Sequence, residues 1–260
     1  MGESLIQVKS FGTLRPETLY SKDVSLSIDT VQQNLNSEIK VAVQIEPPEI
    51  MNVVPQFINN KDNFDLILAW DDKLLSECKN SKKFIFGTCW IDFETLKIDK
   101  KDEISFIMSN KMQAPGHKLR HSIWNVYGSL DKINNFTFNK HRTPPRIESK
   151  NILFNNAKYH ITVENTKREN WITEKIIDCF ATKTIPIYYG CPNVGEFFNK
   201  KGILSFNDMD ELDKILNTIT PTLYDDLEDV LEENYQKSKQ YYDFHKRVES
   251  EINNLIKKIK

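Results

Sequence analysis

The stretch 159–206, YHITVENTKRENWITEKIIDCFATKTIPIYYGCPNVGEFFNKKGILSF, constrains this chain more than any other part of it. Strand, polar loop, helix, strand and Gly-Pro loop follow one another there, and that order is the repeating unit of a parallel sheet. Tyr159, Ile161 and Val163 alternate as a half-buried strand, with Glu164, Asn165 and Thr166 at its carboxyl end. A charged loop leads to Thr173, whose hydroxyl is the expected N-cap of a helix over 174–182. Ile185–Tyr189 reads as the next strand, stopped by Gly190, Cys191 and Pro192.

Thr173-Glu174-Lys175 carries chemistry. A lysine in the first turn of a helix faces the positive end of the macrodipole, which disfavours it by about 0.3–1 kcal/mol. A bound anion reverses that sign, and exposed amides, dipole and lysine together make a phosphate site. Glu174 beside it suits vicinal hydroxyls such as those of a ribose. On these three residues alone a second reading stays open, a surface helix start at which Glu174 offsets Lys175.

Taken whole, the block resembles the donor-binding signature of the family 10 glycosyltransferases, the α1,3/1,4-fucosyltransferases. The matching elements are Glu164-Asn165-Thr166, Trp171, Thr173-Glu174-Lys175, Ile185-Pro186-Ile187, and Gly190 with Pro192; the helix opening Ile176-Ile177-Asp178 is closest to the bacterial branch. The resemblance implies an α/β, GT-B-like chain, with two doubly wound, Rossmann-like domains and a donor cleft between them. Residues 1–103 would form the acceptor-side domain, and 104–260 the nucleotide-sugar-binding domain with a helical tail. The charged run 99–103 (DKKDE) is the expected linker.

The rest of the chain reads as alternating strands and helices. Strands are expected over 41–45, 64–70, 83–86 and 104–108, a helix over 118–126, and a Pro-rich loop over 140–146. After the signature come a strand over 202–206, a helix capped by Asn207-Asp208 and broken by Pro221, and a charged helical tail.

Inverting sugar transfer needs a carboxylate that takes the proton of the attacking hydroxyl, a contribution of about 10²–10⁴ in rate. Glu46 is the candidate base. Its strand ends just before Pro47 and Pro48, which hold the chain extended, and the resemblance implies a proposed base that is a Glu at a strand end with a Pro close behind, which favours Glu46 over Glu49; an exposed loop carboxylate is the reading left open beside it. The growing charge of a nucleoside diphosphate leaving group needs cations. Lys175 is the first candidate. Arg120, in the helix after Ser109-Asn110, is the second, because the resemblance places a phosphate-contacting arginine there; Arg142 and Arg146 compete with it. The resemblance further implies that Glu174 binds ribose, that Asn165 orders the donor loop or meets the pyrophosphate, and that Glu164 braces the motif. Thr166 keeps the hydroxyl of the family's third motif position. Trp171 stands where a Tyr is usual, removing a hydroxyl from the donor site.

Composition excludes some classes. A net charge of -2 argues against a nonspecific nucleic-acid binder. The opening MGESLIQVKSFG has no apolar run suited to a signal or an anchor, so a cytoplasmic chain without an integral membrane segment is expected. Gly2 would suit myristoylation, but Ile6 stands where that pattern needs Ser or Thr. Cys78, Cys89, Cys179 and Cys191 fit neither a zinc site nor a disulfide framework. His117 and His121, at i,i+4, read as an ordinary helix face rather than a metal pair, and no metal or other cofactor is expected. The leading reading is an inverting transferase moving fucose from GDP-fucose to a hydroxyl of a glycan containing N-acetylglucosamine or glucose. A related transferase using another nucleotide sugar, and an inactive nucleotide or glycan binder, are the alternatives. Oligomeric state is left open.

Overall fold

The computed structural model describes residues 17–20, 24–31, 37–145 and 147–259, with backbone alone at 17–20. The N-terminal segment with Gly2, and Arg146, lie outside the described residues. Two compact units divide the chain, one of residues up to Phe86 with those from Asp243 onward, the other Gly87–Tyr242.

The first unit is a five-stranded sheet in the order β1 (Glu17–Tyr20), β2 (Val24–Ile28), β3 (Ile39–Val43), β4 (Leu66–Ala69) and β5 (Ser81–Lys83). β1 runs antiparallel to β2, and the other neighbours are parallel. The central strands are apolar at successive positions because both faces are covered. Ala42, Ile67 and Ala69 pack with Val54, Phe57 and Leu74 of α1 (Val54–Asn59) and α2 (Asp72–Glu77), whereas Val41, Val43 and Leu68 face the opposite side.

The second unit is a six-stranded sheet in the order β11-β10-β9-β6-β8-β7. Its strands are β6 (Lys101–Ser109), β7 (Lys132–Ile133), β8 (Phe136–Thr143), β9 (Ala157–Val163), β10 (Ile185–Tyr189) and β11 (Leu204–Ser205). Only the β7–β8 pair is antiparallel. Its helices are α3 (Pro115–Tyr127), α4 (Asn151–Phe154), α5 (Glu174–Ala181), α6 (Met209–Thr218), α7 (Pro221–Asp225) and α8 (Glu228–Ser238). β9, α5 and β10 form the expected strand-helix-strand unit, with Ile185 opposite Tyr159 and Tyr189 opposite Val163.

The chain then returns to the first unit as α9 (Phe244–Ile259), whose Phe244, Val248, Ile252 and Ile256 pack on Val24, Leu26, Ile28, Val41, Val43 and Leu68. At about 1.5–3 kcal/mol for each buried aliphatic or aromatic side chain, these anchors outweigh an exposed ion pair such as Lys82–Glu251. The last helix of the tail therefore belongs with the first sheet, not with the second domain as expected, while α7 and α8 stay with the second unit.

Two further expectations change. The run 99–103 is not a linker, because Lys101 to Glu103 already open β6, where their side chains reach solvent. The division falls instead at Phe86 and Gly87, where Gly87 has φ +40 and a Cβ would stand 2.7 Å from Tyr241 Cδ1, so only glycine fits. The 140–146 loop is in its first half the end of β8, paired in register with β6 from Glu103–Thr137 to Ser109–Thr143.

Candidate functional site

The site grows from the carboxyl ends of β9 and β10, where a parallel sheet presents its loops to ligands. Glu164 follows β9 directly, and its amide donates to the Tyr189 carbonyl at 2.8 Å, extending the ladder by one residue. Its carboxylate is 0% exposed. The Thr173 hydroxyl lies 2.9 and 2.7 Å from the two carboxylate oxygens, and the Thr173 amide donates to one of them at 3.2 Å. Thr173 is the N-cap of α5, its hydroxyl accepting from the Lys175 amide. The capping residue of the helix is thus also the brace of the Glu164 loop.

Lys175 Nζ lies 3.3 Å from Glu164 Oε2 and 3.1 Å from Glu174 Oε1. Burial works against its charge, but these two carboxylates more than compensate and raise its pKa. Glu174 shows the complementary result. Burial pushes its carboxyl up, while Lys175 and Lys150 pull it down to about 2, so it stays ionised. Lys150 reaches Glu174 at 3.8 Å and the fully buried Asp178 at 2.8 Å. Glu174 and Asp178 are one turn apart on α5, so one ammonium serves two buried acids.

α3 supplies the second wall. Arg120, 9% exposed, donates from Nη2 to Asn165 Oδ1 at 2.6 Å, while its buried Nε has no partner among the described residues. The start of the helix is pressed against the Glu164 loop: the Gly116 amide donates to the Asn165 carbonyl at 2.8 Å, and a Cβ on Gly116 would stand 1.8 Å from the Glu164 carbonyl oxygen. His117, buried beside Arg120, accepts the Ala114 amide on Nδ1 at 3.1 Å. Burial, then the positive charges of Arg120, Lys111 and Lys175, lower its pKa to about 4. His121 Nε2 lies 3.2 Å from the Lys111 carbonyl. All four cysteines are free, and no helix among the described residues is long and apolar enough to cross a membrane.

A cavity of about 150 Å³ opens in this unit, and Arg120, Glu174 and Lys175 line it with Lys150 and Trp90. Of the eight donor-side residues expected from the sequence, these three reach the cavity. Glu164 and Thr173 lie beneath them as supports, and Asn165 holds Arg120. Thr166 is buried at 4% exposure. Trp171 is 1% exposed and does not line the cavity, its large apolar area being better spent in the interior. Arg142 is exposed at the end of β8 and donates to Asn110 Oδ1 at 3.0 Å.

Sequence reading missed Lys150, Asp178 and Trp90. The i,i+4 pair Glu174 and Asp178 on a helix whose other residues, Lys175 apart, are apolar was the available signal, since buried acids require cations beside them.

In the first unit, Glu46 stands where expected, at the carboxyl edge of the sheet just past β3. Asp29, at the end of β2, grips this turn with both oxygens, accepting from the Ile45 amide at 2.7 Å and the Glu46 amide at 2.9 Å. Trp70 Nε1 donates to the Ile45 carbonyl at 3.1 Å, so the backbone leading into Glu46 is held from two sides. Glu46 itself is half-buried. Asp29 was not singled out in the sequence. Its burial raises the pKa to about 7, against the two amide hydrogen bonds that lower it, with Glu46 adding to the rise.

The family model for the C-terminal part of glycosyltransferase family 10 (fucosyltransferase) matches residues 98–258. Alpha-(1,3)-fucosyltransferase FucT of Helicobacter pylori is 28% identical over 120 residues, which are 46% of this chain and 24% of that relative. The match thus spans about a quarter of the curated relative's length. A crystal structure of alpha1,3-fucosyltransferase with GDP-fucose superposes with a TM-score of 0.53 at 21% identity, over 89% of this chain and 78% of that one. A second, with GDP, gives 0.51 at 20% identity over 85% and 81%. These structures share the fold, and the expected GT-B class of two α/β domains with parallel sheets is met.

Proposed function

Because the chain belongs to glycosyltransferase family 10, the fucosyltransferases, we propose that it transfers fucose from GDP-fucose, with inversion, to a hydroxyl of a glycan containing N-acetylglucosamine or glucose. The observation that carries this reading is the buried group at the start of α5: Lys175 charged between Glu164 and Glu174, with Arg120, whose buried Nε has no partner among the described residues, lining the same cavity. A diphosphate supplies the acceptors that Arg120 lacks and the anion that a first-turn lysine favours. Glu174, held ionised, accepts from ribose hydroxyls. As the glycosidic bond breaks, charge grows on the leaving phosphate, and Lys175 and Arg120 are prepositioned to meet it. Their own residues thus meet the leaving group's charge, and no metal is assigned to the reaction. The donor identity draws on the related structures solved with GDP-fucose and GDP.

Glu46 is the proposed general base, and Asp29 its positioning residue. Glu46→Gln should abolish transfer while leaving donor binding intact.

The test is nucleotide release from GDP-fucose, GDP-mannose and UDP-sugars side by side, with and without N-acetyllactosamine or lactose. Acceptor-dependent release of GDP from GDP-fucose alone supports the reading. Release from a different donor only would replace fucose by that sugar.

A further inference from the structure

We propose that the indole of Trp90 is the platform on which the base of a bound nucleoside diphosphate stacks. This rests on the reading above, in which Lys175 meets the diphosphate and Glu174 the ribose.

Trp90 is 52% exposed, yet it lines the same cavity as Arg120, Glu174 and Lys175. Leaving half an indole open to water forgoes apolar burial worth about 25 cal/mol per Å². The side chain is nevertheless held in place. Its amide donates to Asp178 Oδ1 at 2.7 Å, and Lys150 Nζ lies 4.5 Å from the ring centroid. The ammonium occupies one face of the indole, and Lys150 is itself fixed by Asp178 at 2.8 Å. An aromatic anchored through its backbone and one face is pre-organised to offer the other.

A chain of side-chain contacts points to the occupant. Lys175, engaged with Glu164 and Thr173, touches Glu174 at 3.1 Å; Glu174 meets Lys150 at 3.8 Å; and Lys150 in turn holds Asp178 and covers the Trp90 ring. Diphosphate, ribose and base follow one another in the same fixed order in a nucleotide. A ligand with its phosphates at Lys175 and its ribose at Glu174 therefore carries its base to Trp90. Stacking is tolerant of base identity, so this platform contributes affinity and leaves the choice among bases to other groups.

The experiment is calorimetric titration of the full chain with GDP and, separately, with inorganic pyrophosphate, for the unaltered protein, Trp90→Ala and Trp90→Phe. Loss of base stacking should weaken GDP binding about tenfold to a hundredfold in the Ala variant. The Phe variant should stay within about threefold of the unaltered protein, and pyrophosphate affinity should not change in any of them. GDP bound equally well by Trp90→Ala overturns the platform alone, as does a parallel loss of pyrophosphate or a Phe variant as weak as the Ala variant. No GDP binding by the unaltered protein overturns the functional reading, and the platform with it.

Discussion

Thr173 and Glu164 form a single unit in this protein: the hydroxyl that caps α5 is also the donor that satisfies a carboxylate with no solvent access. One side chain therefore fixes both the direction of the helix and the loop after β9, and the site cannot lose it without loosening both.

Thr173→Ala should cost about 1–3 kcal/mol of stability, combining a lost cap with a buried carboxylate short of a donor. Thr173→Ser should recover most of that. Urea denaturation of the three proteins checks it, and an Ala variant as stable as the original would contradict the brace.

Gly116→Ala should weaken GDP binding by tenfold or more, on the order of 1.4 kcal/mol, and lower the melting temperature. The added Cβ would stand 1.8 Å from the Glu164 carbonyl oxygen, a backbone atom that cannot swing aside. α3 must then back away, taking Arg120 from Asn165. Calorimetry with GDP reads the affinity, and unchanged binding would show that the helix is not fixed by this contact.

Acid should destabilise the second unit through two groups whose windows overlap, one opening at higher pH than the other. His160, buried against Phe154 with Ser105 Oγ 2.7 Å from its Nδ1, has its pKa lowered by burial, then by Lys150 and Lys100, from 6.5 to about 3. Between those values the unfolded chain binds a proton that the folded one does not, so stability is full above pH 6.5 and falls as the pH drops towards 3. Glu174, lowered from 4.5 to about 2, acts with the same sign in the lower window. Denaturant titrations from pH 7 to 3 should show a shallower loss for His160→Gln than for the unaltered protein. The penalty of Glu174→Gln should shrink below pH 4.5. Parallel curves would remove either assignment.

Asp29→Asn should reduce transfer by tenfold or more while leaving GDP affinity unchanged, because the amide turns one of the two acceptors gripping the Ile45 and Glu46 amides into a donor. Asn suits the positive φ of 48 at this position, so the backbone is not the variable. Initial rates beside calorimetry separate the two effects; equal losses in both would place Asp29 in the fold rather than in the chemistry.

Much of the second unit was legible because its signals are local. Tyr159, Ile161 and Val163 alternate, Thr173 caps, and Ile185–Tyr189 is bounded by Gly190, so β9, α5 and β10 follow from the residues themselves. β8 was hidden because only Phe136 and Phe138 carry its apolar face, while Lys140 to Arg142 read as loop beside two prolines. The stripe of Val248, Ile252 and Ile256 announces a helix with one buried face but not which sheet receives it, since that contact joins residues at opposite ends of the chain. Lys150 was silent for the same reason, as its meaning depends on two acids from another element.

The central claim is that the start of α5 holds a nucleoside diphosphate through Lys175. Calorimetric titration of GDP into the unaltered protein and into Lys175→Ala, whose fold is verified by its melting curve, tests it most directly. A loss of tenfold or more, on the order of 1.4 kcal/mol, is the predicted result for removing a charge-assisted contact to phosphate. GDP bound with equal affinity by both proteins would contradict the site.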